Sequence, residues 1–184
     1  MQYKIAVSGA AEISHCCDNI ILLSKEVGRE IARNQCILVS GATTGVPYFS
    51  AAGCKEEGGF NVGFSPASSE LAHVKTYHLP VDPFDVMIYT GSDYSGRDII
   101  LTKSADGIII ACGRMGTLHE FTTAIECKKP IGILEGSGGT ADKIRNLMNG
   151  TYKGAKRVIY DRDPRAIVQR IIKMIEKEKA RDKF

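Results

Sequence analysis

Short apolar segments alternate with helix-like segments along the whole chain, and this alternation constrains the fold more than any other feature. The apolar residues of each segment follow one another without polar alternation, as in strands buried on both faces. The predicted strands are Ile5–Gly9, Cys36–Ser40, Phe60–Ser65, Val86–Tyr89, Gly107–Ala111, Ile131–Leu134 and Arg157–Tyr160, with Tyr77–Leu79 as a further short candidate. The pattern predicts an α/β, doubly wound fold with a mainly parallel sheet of about six or seven strands.

The segments between the strands carry helical spacing. Ile20, Leu23, Val27 and Ile31 form one apolar stripe, with Asp18 as the predicted N-cap. Further helices are predicted over Tyr94–Ser104, Thr117–Cys127 and Asp142–Met148, and from Asp163 with Ile167, Ile171 and Ile175 on its stripe.

Composition narrows the class of protein. A length of 184 residues fits one domain, which we expect to span residues 1–184. The net charge of +3 comes without a Lys/Arg cluster, so no nucleic-acid partner is predicted. A strand begins directly after Met1, and no apolar run approaches the ~20 residues that span a bilayer. These features favour a cytoplasmic protein without a membrane partner.

The six cysteines lack a C-x-x-C pair, which argues against a structural zinc site or a thioredoxin-like motif. Cys36 and Cys112 lie in or beside apolar strands and are interpreted as small buried hydrophobic residues. Cys16 and Cys17, with His15 beside them, raise the alternative of a metal site. A metal site needs more ligands than these, so none is predicted.

Glycine-rich turns follow several of the predicted strands and would converge at one edge of a parallel sheet. They are Ser8–Gly9, Ser40–Gly45, Thr90–Ser92, Cys112–Thr117 and Glu135–Thr140. Glycine lets a ligand approach the backbone closely, so together the turns indicate a ligand crevice. None matches a P-loop, and none forms a sound dinucleotide fingerprint, so NAD is not predicted.

The run from Cys112 to Glu120 links a buried strand to a helix through glycines. Such a turn presents backbone N–H groups and a positive helix end, which suit a phosphate. Glu120 would lie one helical turn inside, close to whatever the phosphate anchors. The alternative is that Thr117 and Glu120 form a capping box that only begins the helix.

Arg97 has a similar ambiguity. Ser95 and Asp98 have the spacing of a helix start, and on that reading Arg97 is only a surface charge. His119 is expected to be exposed on its helix.

Several segments resemble the LONELY GUY phosphoribohydrolase family, once mislabelled lysine decarboxylases. Gly113–Glu120 resembles its P-G-G-x-G-T-x-x-E signature, Gly41–Gly45 its first glycine-rich loop, Arg97 its functional arginine, and Ser104–Gly107 and Lys129–Ile131 the segments around the signature. The resemblance covers residues 3 to about 160. It is closest to a little-characterised prokaryotic branch that is also likened to molybdenum-cofactor carrier proteins.

This resemblance implies a Rossmann-like fold, a homodimer or higher homo-oligomer, and a nucleoside 5′-monophosphate such as AMP as ligand, with no cofactor required. The family cleaves the N-glycosidic bond and releases the base and ribose 5-phosphate. Glu120 would stabilise the positive charge that builds on the ribose or position water, and Arg97 would clamp the phosphate or ribose. The expected ligand-binding residues are Ser8, Gly9, Gly41, Thr43, Thr44, Gly45, Gly113, Arg114, Met115, Gly116 and Thr117.

Two departures keep a second interpretation open. Arg114 stands where the family signature has glycine, and Asp98 follows Arg97 where the family has lysine. Either change suits a non-catalytic protein that binds or carries a nucleotide or the molybdenum cofactor.

Overall fold

The computed structural model describes residues 1–151 and 157–181. The predicted domain extent of 1–184 therefore includes residues 152–156 and 182–184, which lie outside the described part. In order along the chain, the described elements are β1 (Lys4–Gly9), α1 (Ile20–Arg33), β2 (Ile37–Ser40), α2 (Val46–Glu56), β3 (Asn61–Ser65), α3 (Glu70–Lys75), β4 (Val86–Tyr89), α4 (Asp93–Ser104), β5 (Gly107–Ala111), α5 (Met115–Glu126), β6 (Ile131–Leu134), α6 (Ala141–Thr151), β7 (Val158–Asp161) and α7 (Pro164–Arg181).

The strands form one parallel sheet in the order β4-β3-β2-β1-β5-β6-β7. The first strand lies at its centre, where Ile5 pairs with Leu38 of β2 on one side and with Gly107 of β5 on the other. The predicted doubly wound, Rossmann-like sheet is confirmed, with seven strands in the described residues. Because all strands run the same way, their carboxyl ends share one edge, and ligands of such sheets bind where the strand order reverses.

Helices cover both faces of the sheet. On one face, α1, α2 and α7 pack through the predicted apolar stripes, including Val27, Ile31, Ile167 and Ile171. On the other face, α4, α5 and α6 pack through the buried residues Leu101, Phe121 and Ile144. Burial on both faces explains why the strand segments are apolar throughout.

Three local predictions are wrong. Asp18 does not cap α1, because Ile20 donates its N–H to Cys17 O at 3.1 Å and closes a turn around Asp18. Tyr77–Leu79 is not a strand, since His78 has φ +53° and cannot continue an extended chain. The third error is the start of α5, which begins at Met115 rather than at Thr117.

A short helix, α3, precedes the segment Tyr77–Leu79 and was not predicted. Ser69 begins it by accepting a hydrogen bond from Ala72 N at 3.2 Å. Its His73 is buried between Ser65 Oγ at 2.8 Å and Pro80 O at 3.0 Å, which anchors the irregular segment to the sheet. None of the helices described is both long and apolar enough to cross a membrane.

Candidate functional site

A cleft of about 290 Å³ lies at the carboxyl edge of the sheet, where β1, β2 and β5 end. The strand order reverses here, because β2 to β4 follow β1 on one side of the sheet and β5 to β7 follow it on the other. The cleft is lined by Gly9, Ala10, Ala11, Glu12, Thr43, Tyr94, Arg97, Asp98, Arg114, Gly116, Thr117 and Glu120.

One wall of the cleft is the turn from β5 into α5. Cys112 and Gly113 both have positive φ, +54° and +98°, and turn the chain sharply away from the sheet. A Cβ on Gly113 would lie 2.4 Å from Thr117 Cβ, so a side chain there would force the first helical turn outward. The first N–H groups of α5, at Met115, Gly116 and Thr117, have no acceptor within the helix. The turn and these N–H groups therefore form a cradle of backbone donors at the carboxyl edge of the sheet.

The end of β1 approaches the turn just as closely. A Cβ on Gly9 would lie 2.4 Å from Ala111 O and 2.6 Å from Val46 Cγ1. Glycine at position 9 therefore lets β1 end in contact with both β5 and α2. The next residues, Ala10 to Glu12, continue directly into the cleft lining.

Glu120 lies at the base of the cleft with 7% of its surface exposed, and Ser8 Oγ donates a hydrogen bond to its Oε2. Burial, and next the negative charge of Asp98, raise the pKa of Glu120 to about 7. The capping-box interpretation is wrong, because the side chain of Glu120 contacts a strand 112 residues earlier and α5 begins before Thr117.

Arg97 is also buried, with 5% exposure, so its interpretation as a surface charge is wrong. Its Nη1 donates to Gly41 O and, at 3.0 Å, to Phe64 O, while its Nε donates to Asp98 Oδ1 at 3.1 Å. The guanidinium thus joins the ends of β2 and β3 while one side lines the cleft. Two of its three nitrogens are engaged within the protein.

Asp98 does not begin α4, which starts five residues earlier at Asp93. Its Oδ2 lies 3.2 Å from Nδ1 of His119, while its Oδ1 faces Arg97. His119 is 40% exposed at its side chain, as expected, but it also contacts this buried carboxylate. Arg97, Asp98 and His119 therefore form a chain of polar contacts that leads from the sheet to the surface.

Arg114 occupies the rim of the cleft. Its side chain is 61% exposed, its Nη2 pairs with Glu12 Oε2, and the same nitrogen lies 3.3 Å from His15 Nδ1. The mouth of the cleft therefore carries an ion pair between Arg114 and Glu12, both of which line it.

The structure brings seven of the residues expected at the site into the cleft lining: Gly9, Thr43, Arg97, Arg114, Gly116, Thr117 and Glu120. Six others lie outside the lining: Ser8, Gly41, Thr44, Gly45, Gly113 and Met115. Ser8 and Gly41 act behind it, on Glu120 and Arg97. Thr44 Oγ1 donates to Ala11 O at 2.9 Å and holds the loop after β1, and Met115 is largely exposed.

Sequence reasoning missed five lining residues: Ala10, Ala11, Glu12, Tyr94 and Asp98. The first three follow Gly9 at the end of a predicted strand, and that position was the available signal. Tyr94 and Asp98 lie one helical turn or less from Arg97, so the helix that carries the arginine could have indicated them.

A family profile described as the SLOG cluster4 family matches residues 2–168. The chain belongs to the SLOG cluster4 family. The matched range takes in every strand of the described residues and every residue that lines the cleft.

Several known proteins are similar to this chain. An uncharacterized protein of Archaeoglobus fulgidus is 30% identical over 132 residues, 72% of this chain and 80% of that protein. The Moco carrier protein of Chlamydomonas reinhardtii superposes with a TM-score of 0.77 at 25% identity, covering 96% of this chain and 99% of that one. The molybdenum cofactor binding protein of Rippkaea orientalis has the same fold, with a TM-score of 0.78 at 24% identity over 95% and 98% of the two chains.

This SLOG cluster4 chain also carries a cysteine pair beside the cradle. Cys112 is fully buried, as expected, but it forms a disulfide with Cys16 across 96 residues, so its interpretation as a lone hydrophobic residue is wrong. His15 Nε2 lies 3.6 Å from Cys112 Sγ and 3.3 Å from Gly113 O. Sequence spacing gave no sign of this pairing, because the ends of β1 and β5 become neighbours only in the sheet.

Proposed function

We propose that this protein binds a phosphate monoester of nucleotide type in the cleft and holds it without turnover, as a carrier. The observation that carries the proposal is the cradle after β5. At the start of α5, Gly116 and Thr117 line the cleft and their N–H groups have no acceptor within the helix, and the Arg114–Glu12 ion pair lies at its mouth. Backbone donors and a positive helix end suit a doubly charged phosphate.

The state of the two candidate catalytic residues favours binding over turnover. Burial, and next the charge of Asp98, raise the pKa of Glu120 to about 7, which favours the neutral carboxyl over the negative charge that would stabilise a cationic ribose. Arg97 uses Nε and Nη1 on Asp98 and on backbone carbonyls, which leaves Nη2 for a ligand. Both side chains therefore make contacts within the protein that help to form the cleft, and these contacts do not depend on cleavage of a ligand.

The relatives suggest which phosphate monoester to test. The carrier from Chlamydomonas reinhardtii and the binding protein from Rippkaea orientalis are named for the molybdenum cofactor, a pterin that bears a phosphate monoester. A nucleoside monophosphate such as AMP offers the same phosphate chemistry on a different heterocycle. We therefore take the molybdenum cofactor and AMP as the two ligand candidates for the cleft.

Binding is measured by calorimetry with AMP, with molybdenum cofactor and with adenosine, which lacks the phosphate. We expect the two phosphate monoesters to bind and adenosine not to bind. Arg114→Ala should weaken AMP binding about tenfold, since a lost charge-assisted hydrogen bond is worth about 1.5 kcal/mol. Arg145→Ala removes an exposed arginine of α6 and serves as the matched control. Equal binding of adenosine and AMP would refute a phosphate site.

A second function is favoured by one observation. A buried carboxyl with a pKa near 7 is suited to general acid–base catalysis, as the phosphoribohydrolase chemistry requires. Incubation with AMP and chromatography for free adenine tests this directly. Release of adenine by the wild type and its loss in Glu120→Gln would establish the enzyme. Binding of AMP without release of adenine would support the carrier function instead.

A further inference from the structure

The cluster of His15, Cys16 and Cys112 adjoins the proposed phosphate site at the start of the cradle, but none of its three residues lines the cleft. The ligand-type atoms of these three residues all lie within 4.8 Å of one another. Two thiolates and an imidazole are the donor set that binds soft or borderline metal ions such as Zn²⁺. We propose that the reduced form of the protein binds one Zn²⁺ ion through His15 Nε2, Cys16 Sγ and Cys112 Sγ.

The spacing of the ligand atoms fits a tetrahedral ion. Bonds of about 2.3 Å to sulfur and about 2.0 Å to nitrogen place tetrahedral S and N ligands about 3.6 Å apart. The distance from Cys112 Sγ to His15 Nε2 is 3.6 Å. The two cysteine Cα atoms are 5.6 Å apart, so side-chain rotation alone separates the sulfurs once the disulfide is reduced.

The backbone holds both cysteines in place without the disulfide. Cys16 forms an antiparallel bridge with Gly138, and Cys17 N donates to Ser137 O at 3.1 Å. Cys112 N donates to Ser137 Oγ at 2.8 Å. One turn after β6 therefore fixes both ligand-bearing segments, and reduction leaves two thiols at the same positions.

In the oxidised protein, Nδ1 of His15 accepts a hydrogen bond from Arg114 Nη2 at 3.3 Å, and Nε2 donates to Gly113 O at 3.3 Å. Metal binding through Nε2 replaces the bond to Gly113 O and moves the ring proton to Nδ1, where the carboxylate of Glu12 lies at 3.7 Å and can accept it. Three protein ligands leave the fourth position of the zinc ion for solvent or a small ligand, as in catalytic rather than structural zinc sites.

The disulfide and the metal exclude each other, so the site has two states. A dithiol such as dithiothreitol reduces the Cys16–Cys112 bond to two thiols and becomes a cyclic disulfide itself. The two thiols then release two protons as the divalent ion binds to both sulfurs. Oxidation of the pair removes the two thiolates and with them the site.

The test uses Co²⁺ as the spectroscopic probe on the full chain, reduced with dithiothreitol and desalted without oxygen. We expect a sulfur-to-cobalt charge-transfer band that saturates at one Co²⁺ per chain and disappears when Zn²⁺ is added. The oxidised protein should show no band. Cys16→Ser should lose the band, and His15→Gln should weaken cobalt binding.

Cys17→Ser is the matched control, because Cys17 is the sequence neighbour that lies outside the cluster. It should keep the full band. The proposal is overturned if the reduced wild type shows no band, if Cys16→Ser keeps the band, or if Cys17→Ser loses it. It is also overturned if His15→Gln binds cobalt as tightly as the wild type does. Cys112→Ser is read together with its thermal melt, because Cys112 is fully buried.

Discussion

Glu120→Gln should change how stability depends on pH. The pKa of Glu120 is raised from 4.5 to about 7, so between these values the unfolded chain ionises at this residue while the folded chain stays protonated. The contribution of Glu120 to the free energy of unfolding is therefore fully present below pH 4.5, and it is lost as the pH rises toward 7. A pKa shift of one unit corresponds to about 1.4 kcal/mol, so the loss reaches about 3 kcal/mol.

Glutamine cannot ionise, so the variant avoids this loss and still offers an amide to Ser8. We expect the free energy of unfolding of Glu120→Gln minus that of the wild type to grow by about 3 kcal/mol from pH 4.5 to 7.5. Urea titrations followed by circular dichroism at half-unit pH steps measure this difference.

Glu56→Gln is the control, because the pKa of Glu56 is lowered in the folded protein whereas that of Glu120 is raised. Hydrogen bonds from Lys25 and Arg29 lower the pKa of Glu56 on the surface, so its charge stabilises the folded state weakly as pH rises. A stability difference between Glu120→Gln and the wild type that stays flat across this pH range would refute the raised pKa and the general acid–base role based on it.

Two further predictions concern the residues that hold the cleft together. Gly9→Ala should destabilise the protein by about 1–3 kcal/mol, because its Cβ would meet Ala111 O and Val46. Gly116→Ala, in α5 with nothing within 4 Å of the added Cβ, should keep or slightly raise the melting temperature, because alanine favours a helix over glycine. Equal melting temperatures for the two variants would contradict the close approach of β1. Arg97→Ala should cost about 3 kcal/mol in urea unfolding, because it leaves the buried Asp98 without its arginine, while Arg170→Ala, at an exposed ion pair, should cost less than about 1 kcal/mol. A small effect of Arg97→Ala would show that the arginine is held for a ligand instead.

Much of the fold could be predicted because its signals are local. Apolar runs such as Ile131–Leu134 and stripes such as Ile167 and Ile171 report burial directly, and both are confirmed. Strand order is not local, since nothing in the residues of β1 states that it pairs with both β2 and β5. Helix starts were misplaced where a turn or a positive φ competed with a side-chain capping pattern.

The candidate site shows the same division. The glycine turns and the resemblance indicated Arg97 and Glu120, and both lie in the cleft lining. Their partners could not be predicted, because Ser8 and Glu120 are 112 residues apart and Arg97 and Gly41 are 56 apart. The capping-box prediction was wrong for the same reason. Its spacing describes a contact within one helical turn, whereas Glu120 accepts a hydrogen bond from the buried hydroxyl of Ser8 in β1.

The central position of β1 has a consequence for how the chain folds. Pairing of β1 with β2 closes a loop of about 30 residues, whereas pairing of β1 with β5 closes one of about 100. The longer loop costs about 1 kcal/mol more in chain entropy, so the pairing with β5 is expected to form later. Until β5 arrives, Ile5, Ala6 and Val7 form an apolar edge open to other chains. The same step that completes the cleft thus covers this apolar edge, so a ligand that binds the finished cleft also disfavours the state in which the edge is open.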